Sequence, residues 1–444
     1  MQLAGKQVVV VGMGVSGIAA VRLCASKGAH VTATDSRPLA ELSADVQNLP
    51  ATLCVGGHQS VSFTTADLIV VSPGVPPLAQ LQQAERAGVP VIGELELGSR
   101  FATAPIIAVG GTNGKSTVTT LLAQMFAEAK PRVFSGGNLG TPLTQAVVEP
   151  WDVMVVEVSS FQLERAPTFH PRVALLLNVT DDHLDRYDDF AAYARAKGNV
   201  FLQQSSEDFA VVPAGDLVCE QQARRGAGRI VTFGAEGDYA YQGRCVIERA
   251  TGNQFSFEAS RLFGLHNAMN VAACVAAARA LGLTQQNIEA ALRAYAPLAH
   301  RMAYVTEIAG VRFYDDSKGT NVGASVAALN GLQEPKGVLI AGGRDKLGDY
   351  APLACALANK GRAVIVIGEA AERIAQATSP VLPTLTAETL ENAVMLAFEQ
   401  AKPGDAVLLS PACSSFDMFK SYSERGEKFV AAVRQLETLG GKTA

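Results

Sequence analysis

Apolar runs of four or five residues alternate along this chain with segments in which apolar residues recur every three or four positions. Gln7 to Val11, His30 to Thr34, Asp67 to Val71 and Val89 to Ile92 read as strands, with helices at Gly17 to Lys27 and Leu78 to Ala87. A second series places strands at Pro105 to Ala108, Arg132 to Phe134, Trp151 to Glu157 and Val173 to Leu177, with helices at Val118 to Ala129 and Phe190 to Gln203. Residues 208–260 look β-rich, with strands at Phe209 to Val212 and Ile230 to Phe233 and a hairpin around Arg244 to Phe257. Helices follow at Val271 to Leu281 and Thr284 to Ala294, and Ala296 to Arg301 reads as a linker. The last series has strands at Val311 to Tyr314, Gly337 to Ile340, Ala363 to Ile367 and Ala406 to Leu409, helices at Val322 to Leu329 and Glu391 to Gln400, and a final helix. This order predicts an α/β protein of three domains, 1–99, 100–297 and 298–444, the first and third Rossmann-like and the second a nucleotide-binding α/β unit.

The polar residues at strand ends carry the chemistry. Gly111-Thr112-Asn113-Gly114-Lys115-Ser116-Thr117 lies between a strand and a helix, the context of a P-loop. Glycines let backbone N–H groups face a phosphate chain, Lys115 supplies a charge, and a Ser116 or Thr117 hydroxyl suits Mg²⁺. Counted back from Gly114, the position where the strict P-loop has its first glycine is Val109, so the pattern is one residue short from Gly110. Glu157, at the end of an apolar strand beside this loop, is a candidate metal ligand. His183, in the acidic loop Asn178 to Arg186, is another. Lys197 lies beside an apolar helical stripe, and spacing alone predicts that it snorkels to water. Asn267 and Asn270 are placed to cap a helix or to read a base edge.

Gly12-Met13-Gly14-Val15-Ser16-Gly17 matches the dinucleotide fingerprint, with Asp35 where a ribose-binding acid belongs. A nicotinamide dinucleotide and another nucleotide diphosphate both fit this turn. Asp35-Ser36-Arg37 and Ser72-Pro73-Gly74 lie at neighbouring strand ends. In the last third, Asp315 to Asn321, Gly342 to Lys346 and Ser410 to Asp417 form three polar loops at one sheet edge, a binding face.

Composition narrows the class. Of 444 residues, 48% are hydrophobic and 18% charged, with a formal net charge of −5, which gives no electrostatic footprint for nucleic acid. No apolar run approaches a membrane span, and Met1 to Lys6 runs straight into a strand, which leaves no room for a secretory leader, so a cytoplasmic location is expected. The seven cysteines have no C-x-x-C spacing, which argues against a zinc site or a disulfide framework.

Taken together, several motifs resemble those of the ATP-dependent Mur ligases. They are Gly111 to Ser116, Glu157-x-Ser159-Ser160, Asn178-x-Thr180-x-Asp182-His183-Leu184-Asp185, His266-Asn267-x-x-Asn270, His300-Arg301, Asp316-Ser317-Lys318-x-Thr320-Asn321 and Ser410-Pro411. The likeness covers all three domains. The N-terminal turn and Ser410 to Asp417 look most like the branch that adds D-glutamate, and the Asp-Asn-Pro-Arg element of the diaminopimelate-adding branch is missing. The resemblance implies ATP and two Mg²⁺ as cofactors, UDP-N-acetylmuramoyl-L-alanine and D-glutamate as substrates, and a monomer. Ser16, Asp35, Ser36, Arg37, Ser72 and Gly74 would hold the uridine diphosphate, and Asn138 and Ser159 would face the muramoyl part. Lys115, Ser116 and Thr117 would hold phosphates. Ser116, Glu157, His183 and a carbamylated Lys197 would serve the metals. Asn267 and Asn270 would lie at adenine, Arg301 at the phosphates and Asp316 at the ribose. Lys318, Thr320, Lys346, Ser415 and Tyr422 would receive D-glutamate, Tyr422 standing where the family pattern has phenylalanine. A nicotinamide dehydrogenase, a P-loop switch NTPase and a folylpolyglutamate synthase are the competing readings.

Overall fold

A computed structural model of the chain describes residues 1–183 and 186–440. Leu184 and Asp185, the end of the acidic motif, lie outside the described residues. Three sheets account for the strands. The first holds β1 (Gln7–Val11), β2 (His30–Asp35), β3 (Thr52–Val55), β4 (Leu68–Val71) and β5 (Val91–Gly93), all parallel, in the order β3-β2-β1-β4-β5. The order reverses at β1, so the glycine turn that follows it opens at the topological switch point, where open α/β sheets bind ligands.

The second sheet contains β6 (Ile106–Gly110), β7 (Val133–Gly137), β8 (Val153–Glu157), β9 (Val173–Leu176), β10 (Phe209–Pro213), β11 (Arg229–Phe233), β12 (Tyr239–Gln242), β13 (Cys245–Glu248) and β14 (Gln254–Ser256). Their order is β14-β13-β12-β11-β10-β9-β6-β8-β7, antiparallel only from β12 to β14. β6 lies between β8 and β9, in register Val109↔Glu157 and Gly110↔Leu176. That register brings the phosphate loop, Glu157 and Asn178 to one level. β6, β8 and β9 are buried along their whole length, which is why they read as unbroken apolar runs without alternation.

The third sheet has β15 (Ala303–Ile308), β16 (Val311–Asp315), β17 (Gly337–Gly342), β18 (Gly361–Ile367), β19 (Thr384–Thr386) and β20 (Ala406–Leu409) in the order β15-β16-β20-β17-β18-β19. β16, β20 and β17 are parallel neighbours, so their three following loops leave from one end.

The chain divides into two compact units. The first comprises 1–179, 193–260 and 269–295, and so carries the first two sheets; the second comprises 180–192, 261–268 and the chain from Ala296 onward, with the third sheet. Within the first unit, the buried Glu94 carboxylate accepts the Thr144 backbone N–H and hydroxyl at 2.7 Å each, and burial raises its pKa. Among the described residues no helix is long and apolar enough to cross a membrane.

Several expected elements need correction. Strand β7 runs on through Ser135 and Gly136 to Gly137, where the sequence suggests a turn. The helix expected from Val271 begins at Leu265, so Asn267 and Asn270 lie in its opening turns. Short edge strands β3, β15 and β19 and the helices Leu217–Ala223, Ala351–Lys360 and Ala371–Thr378 have too few apolar residues, or too even a spacing, to announce themselves.

Gly17 shows how tightly the first turn is packed: a Cβ there would stand 1.8 Å from the Gly12 carbonyl oxygen. Gly17→Ala is expected to cost about 1–3 kcal/mol of stability, the range for overpacking a close contact. A urea unfolding curve superimposable on that of the wild type would contradict this.

Candidate functional site

The three glycines of the N-terminal turn have separate reasons. Gly12 adopts φ +89°, and Gly17 lets the helix Val15–Ser26 close on the strand. Gly14 has nothing within 4 Å of its missing Cβ and faces a cavity of about 780 Å³ lined by Val15, Ile18, Arg22 and Arg37. Asp35 is buried. Its oxygens accept the Met13 N–H at 2.7 Å, the Arg37 N–H at 2.9 Å and the Arg37 guanidinium at 3.0 and 2.9 Å. Burial, the largest single influence, pushes its pKa up, but the bonds from Arg37 and Met13 outweigh it and hold the carboxyl at about 2. Asp35 therefore fixes the turn and orients Arg37, whereas in a dehydrogenase this acid receives a ribose hydroxyl. The Ser72 hydroxyl likewise donates to the Gly12 carbonyl at 2.8 Å. Ser16, on the turn, is half-buried, and Ser36, just after β2, is exposed.

In the phosphate loop, Gly111 and Gly114 take φ +137° and +86°, and the helix Lys115–Ala127 starts directly afterwards. Asn178 clamps the loop: its amide accepts the Asn113 N–H at 2.8 Å and donates to the Asn113 carbonyl at 3.1 Å, while its own carbonyl accepts the Thr112 N–H at 3.0 Å. Sequence reasoning placed Asn178 in a motif but gave it no role. Lys115 Nζ donates to the carbonyls of Gly111 and Thr112 at 3.0 and 2.8 Å. Lys197 Nζ donates to the same Gly111 carbonyl at 2.8 Å and stands 4.5 Å over the Tyr193 ring. Lys197 is only 3% exposed, so the snorkelling expected from spacing is wrong. The Gly111 carbonyl and the Tyr193 ring receive its head inside the protein.

Glu157 is buried beside this loop. Its Oε1 accepts the Asn138 amide at 2.7 Å, while Oε2 is buried with no hydrogen-bond partner among the described residues. An orphaned buried carboxylate oxygen is costly unless something else binds it. Ser116 and Thr117 are buried on the first helical turn. Asn270 packs against the loop, its Oδ1 lying 2.5 Å from where a Gly114 Cβ would be. Ser159 has a structural task that the sequence did not reveal: it caps the helix Ser160–Leu163 in a reciprocal box with Gln162.

The remaining candidates lie in the second unit. His183 sits at φ +57°, its N–H donating to Asp182 Oδ1 at 3.0 Å. Asp182 also pairs with Lys346 Nζ at 3.0 Å and accepts the Asn321 amide at 3.4 Å. Lys318 Nζ donates to the Tyr422 hydroxyl at 3.2 Å and lies 4.7 Å over its ring. Thr320 is half-buried and Ser415 is buried. Arg425, missed by sequence reasoning, is fully buried and donates to the Ser317 hydroxyl, the Ser317 carbonyl and the Cys413 carbonyl at 3.0, 2.8 and 3.2 Å. Burial brings its guanidinium down to about 10. A cavity of about 750 Å³ is lined by His266, Asn267, Pro297, Arg301 and Tyr304. The Arg301 Nε is buried without a partner among the described residues. Asp316 is buried next to this region, accepting the Ser410 hydroxyl at 2.7 Å and the Met302 N–H at 3.2 Å.

Comparison with known proteins decides the family. Residues 6–93 match the model of the Mur ligase MurD-like N-terminal domain, 109–278 the Mur ligase middle domain, and 300–413 the Mur ligase glutamate ligase domain. A relative from Geotalea uraniireducens, named UDP-N-acetylmuramoylalanine--D-glutamate ligase, is 44% identical over the full length of both chains. Another of the same name from Trichlorobacter lovleyi is 43% identical over 98% of this chain and 100% of that relative. The chain belongs to the Mur ligase family. Among solved structures, UDP-N-acetylmuramate-alanine ligase MurC from Thermotoga maritima shares the fold at a TM-score of 0.62 with 19% identity, covering 97% of this chain and 99% of that one. The ADP complex of Mycobacterium tuberculosis folylpolyglutamate synthase gives 0.61 with 17% identity over 75% and 92%.

In this Mur ligase the sequence-derived site residues fall into local groups. These are the N-terminal turn, the phosphate loop with Glu157, Asn138, Lys197 and Asn270, the Asn267–Arg301 cavity, and the pairs Asp182–Lys346 and Lys318–Tyr422, built from strand ends together with helix residues such as Lys197, Asn267, Asn270 and Tyr422. Asp316 yields a pH signature. Burial raises its pKa from 3.8 to about 7 against the Ser410 bond and the Arg301 charge. The unfolded chain therefore gives up this proton at lower pH than the folded one, and this carboxyl lowers stability as pH rises from about 4 to about 7. Asp316→Asn removes that slope, so the variant should gain on the wild type across the window by on the order of 3 kcal/mol. Urea midpoints at about pH 4.5 and 7.5 read the difference; equal offsets at both would refute it.

Proposed function

We propose that this Mur ligase joins D-glutamate to UDP-N-acetylmuramoyl-L-alanine with cleavage of ATP to ADP and phosphate, a step in building peptidoglycan precursors. The observation that carries this reading is identity of 43–44% along the whole chain to relatives named for that reaction. The substrate carboxylate attacks the γ-phosphorus of ATP in line and ADP leaves, giving an acyl phosphate. The glutamate amine, having lost a proton, then attacks the acyl carbon, and the tetrahedral adduct expels phosphate. Such chemistry asks the protein mainly to position reactants and to neutralise charge.

The N-terminal turn, with half-buried Ser16, exposed Ser36, Arg37 and Gly74 around it and Asp35 and Ser72 behind it, anchors the uridine diphosphate. Asn138 faces the muramoyl part. Lys115, Ser116, Thr117 and Arg301 hold the ATP phosphates, Asn267 and Asn270 serve the base, and Asp316 the ribose. Lys318, Thr320, Lys346, Ser415 and Tyr422 receive D-glutamate. Glu157 Oε2, buried and without a hydrogen-bond partner among the described residues, would hold a hard cation together with the Ser116 hydroxyl, and His183 would serve a second one. When bound, Mg²⁺ lowers the repulsion between the anionic reactants.

Lys197 carries the strongest electrostatic argument. In ammonium form, both it and Lys115 donate to one carbonyl oxygen, which brings like charges together in a buried setting. Carbamylation, in which the neutral amine adds CO₂ and releases a proton, turns that repulsion into attraction and adds an oxygen ligand next to the loop. Three domains, 1–99, 100–297 and 298–444, are supported by the presence of one sheet within each. The use of ATP fits a cytoplasmic location, and the resemblance to Mur ligases fits a monomer.

The decisive assay measures ADP release with UDP-N-acetylmuramoyl-L-alanine and a panel of amino acids. D-Glutamate should exceed L-alanine and diaminopimelate by orders of magnitude; equal rates would refute the substrate assignment. Lys197→Ala should lose at least about 100-fold in kcat, the scale for removing a ligand-supporting group, and regain part of it with added short-chain carboxylate. Full activity without rescue would exclude the carbamate.

A further inference from the structure

The loop that carries Lys346 has a demanding backbone. Gly342 and Gly343 lie at φ +127° and +132°, and Leu347, which has a side chain, at φ +58°. A left-handed leucine costs energy and persists only where neighbours over-determine it. Here the neighbour is Asp345. Its side chain is 8% exposed; Oδ1 accepts the Leu347 N–H at 2.9 Å and the Tyr350 hydroxyl at 3.0 Å, and Oδ2 takes the Arg373 guanidinium. Arg373 also donates to the Gly348 carbonyl at 3.1 Å, closing the far side of the loop.

The Tyr350 hydroxyl reaches one step further, to Cys413 Sγ at 3.2 Å. Burial pushes the Cys413 thiol up to about 11, so it stays protonated and donates to the phenol oxygen, which in turn donates to Asp345. Cys413 lies two residues before Ser415, and the Arg344 N–H donates to the Ser414 carbonyl at 2.9 Å. The loop with Lys346 and the loop with Ser415 are thus joined through the buried side chains of Asp345, Tyr350 and Cys413.

We propose that Asp345, acting through Tyr350, is a positioning residue for the incoming amino acid: it sets the spacing between Lys346 and Ser415. This rests on the reading that those two residues receive D-glutamate. Uridine and ATP contacts lie on other elements, so the effect is confined to one substrate.

The test is steady-state kinetics of the full chain with each of the three substrates varied in turn. Asp345→Asn keeps size and a hydrogen-bonding oxygen but loses the ion pair; the KM for D-glutamate should rise about tenfold, as for loss of a charge-assisted bond. The KM values for ATP and UDP-N-acetylmuramoyl-L-alanine should stay within about twofold. Tyr350→Phe keeps the ring in its buried place and should raise the same KM by a smaller factor. Because the two act in series, the double variant should match Asp345→Asn alone. An unchanged D-glutamate KM in Asp345→Asn, a parallel rise in all three KM values, or strictly multiplicative effects in the double variant would each overturn the proposal while leaving the ligase reading intact. Wild-type chain without D-glutamate-dependent ADP release would sink both.

Discussion

A parallel strand buried on both faces can offer chemistry only where it ends, and this constraint governs the molecule. β6, β8, β9, β17 and β20 are wholly buried, leaving each strand's carboxyl end as the place for a polar group. Register then does the assembling. Val109↔Glu157 and Gly110↔Leu176 level a phosphate loop with a carboxylate on one side and an asparagine on the other. Asp315↔Leu409 and Ile340↔Leu409 do the same for the three polar loops of the third sheet.

Charge is concentrated where those ends meet. Lys115 and Lys197 share the Gly111 carbonyl, and Glu157 keeps one oxygen without a partner among the described residues close to the loop's level. Such an arrangement is poor for stability, since a buried lone acceptor and paired like charges both cost free energy. It is suited to binding phosphates, where added charge settles the account. The Asp35–Arg37 pair is the opposite case: the carboxylate is saturated, and its contribution to stability is present above the usual carboxylate range and lost as pH falls toward 2.

The second unit uses buried polar groups to shape loops. Arg425 ties Ser317 to Cys413, and Asp345 ties Leu347, Tyr350 and Arg373. Each holds a backbone that carries side chains suited to ligand, among them Lys318, Lys346 and Ser415. The residues suited to ligand and the residues that place them are therefore different sets.

The sequence by itself determined the strand–turn–helix order, the family motifs and the identity of most polar strand-end residues, because apolar runs and glycine turns are local signals. It could not show that Lys197 is buried on the Gly111 carbonyl, that Asn178 clamps the phosphate loop, that Ser159 is a helix cap, or that Asp35 is saturated by Arg37. Those facts depend on which strand lies beside which, and spacing along one helix carries no information about a carbonyl 86 residues away. Edge strands such as β3 and β19 were also invisible, being short and half-covered. Local pattern fixes what each segment is; only the tertiary register decides what each charged side chain meets, since that is set by contacts between segments far apart in the chain.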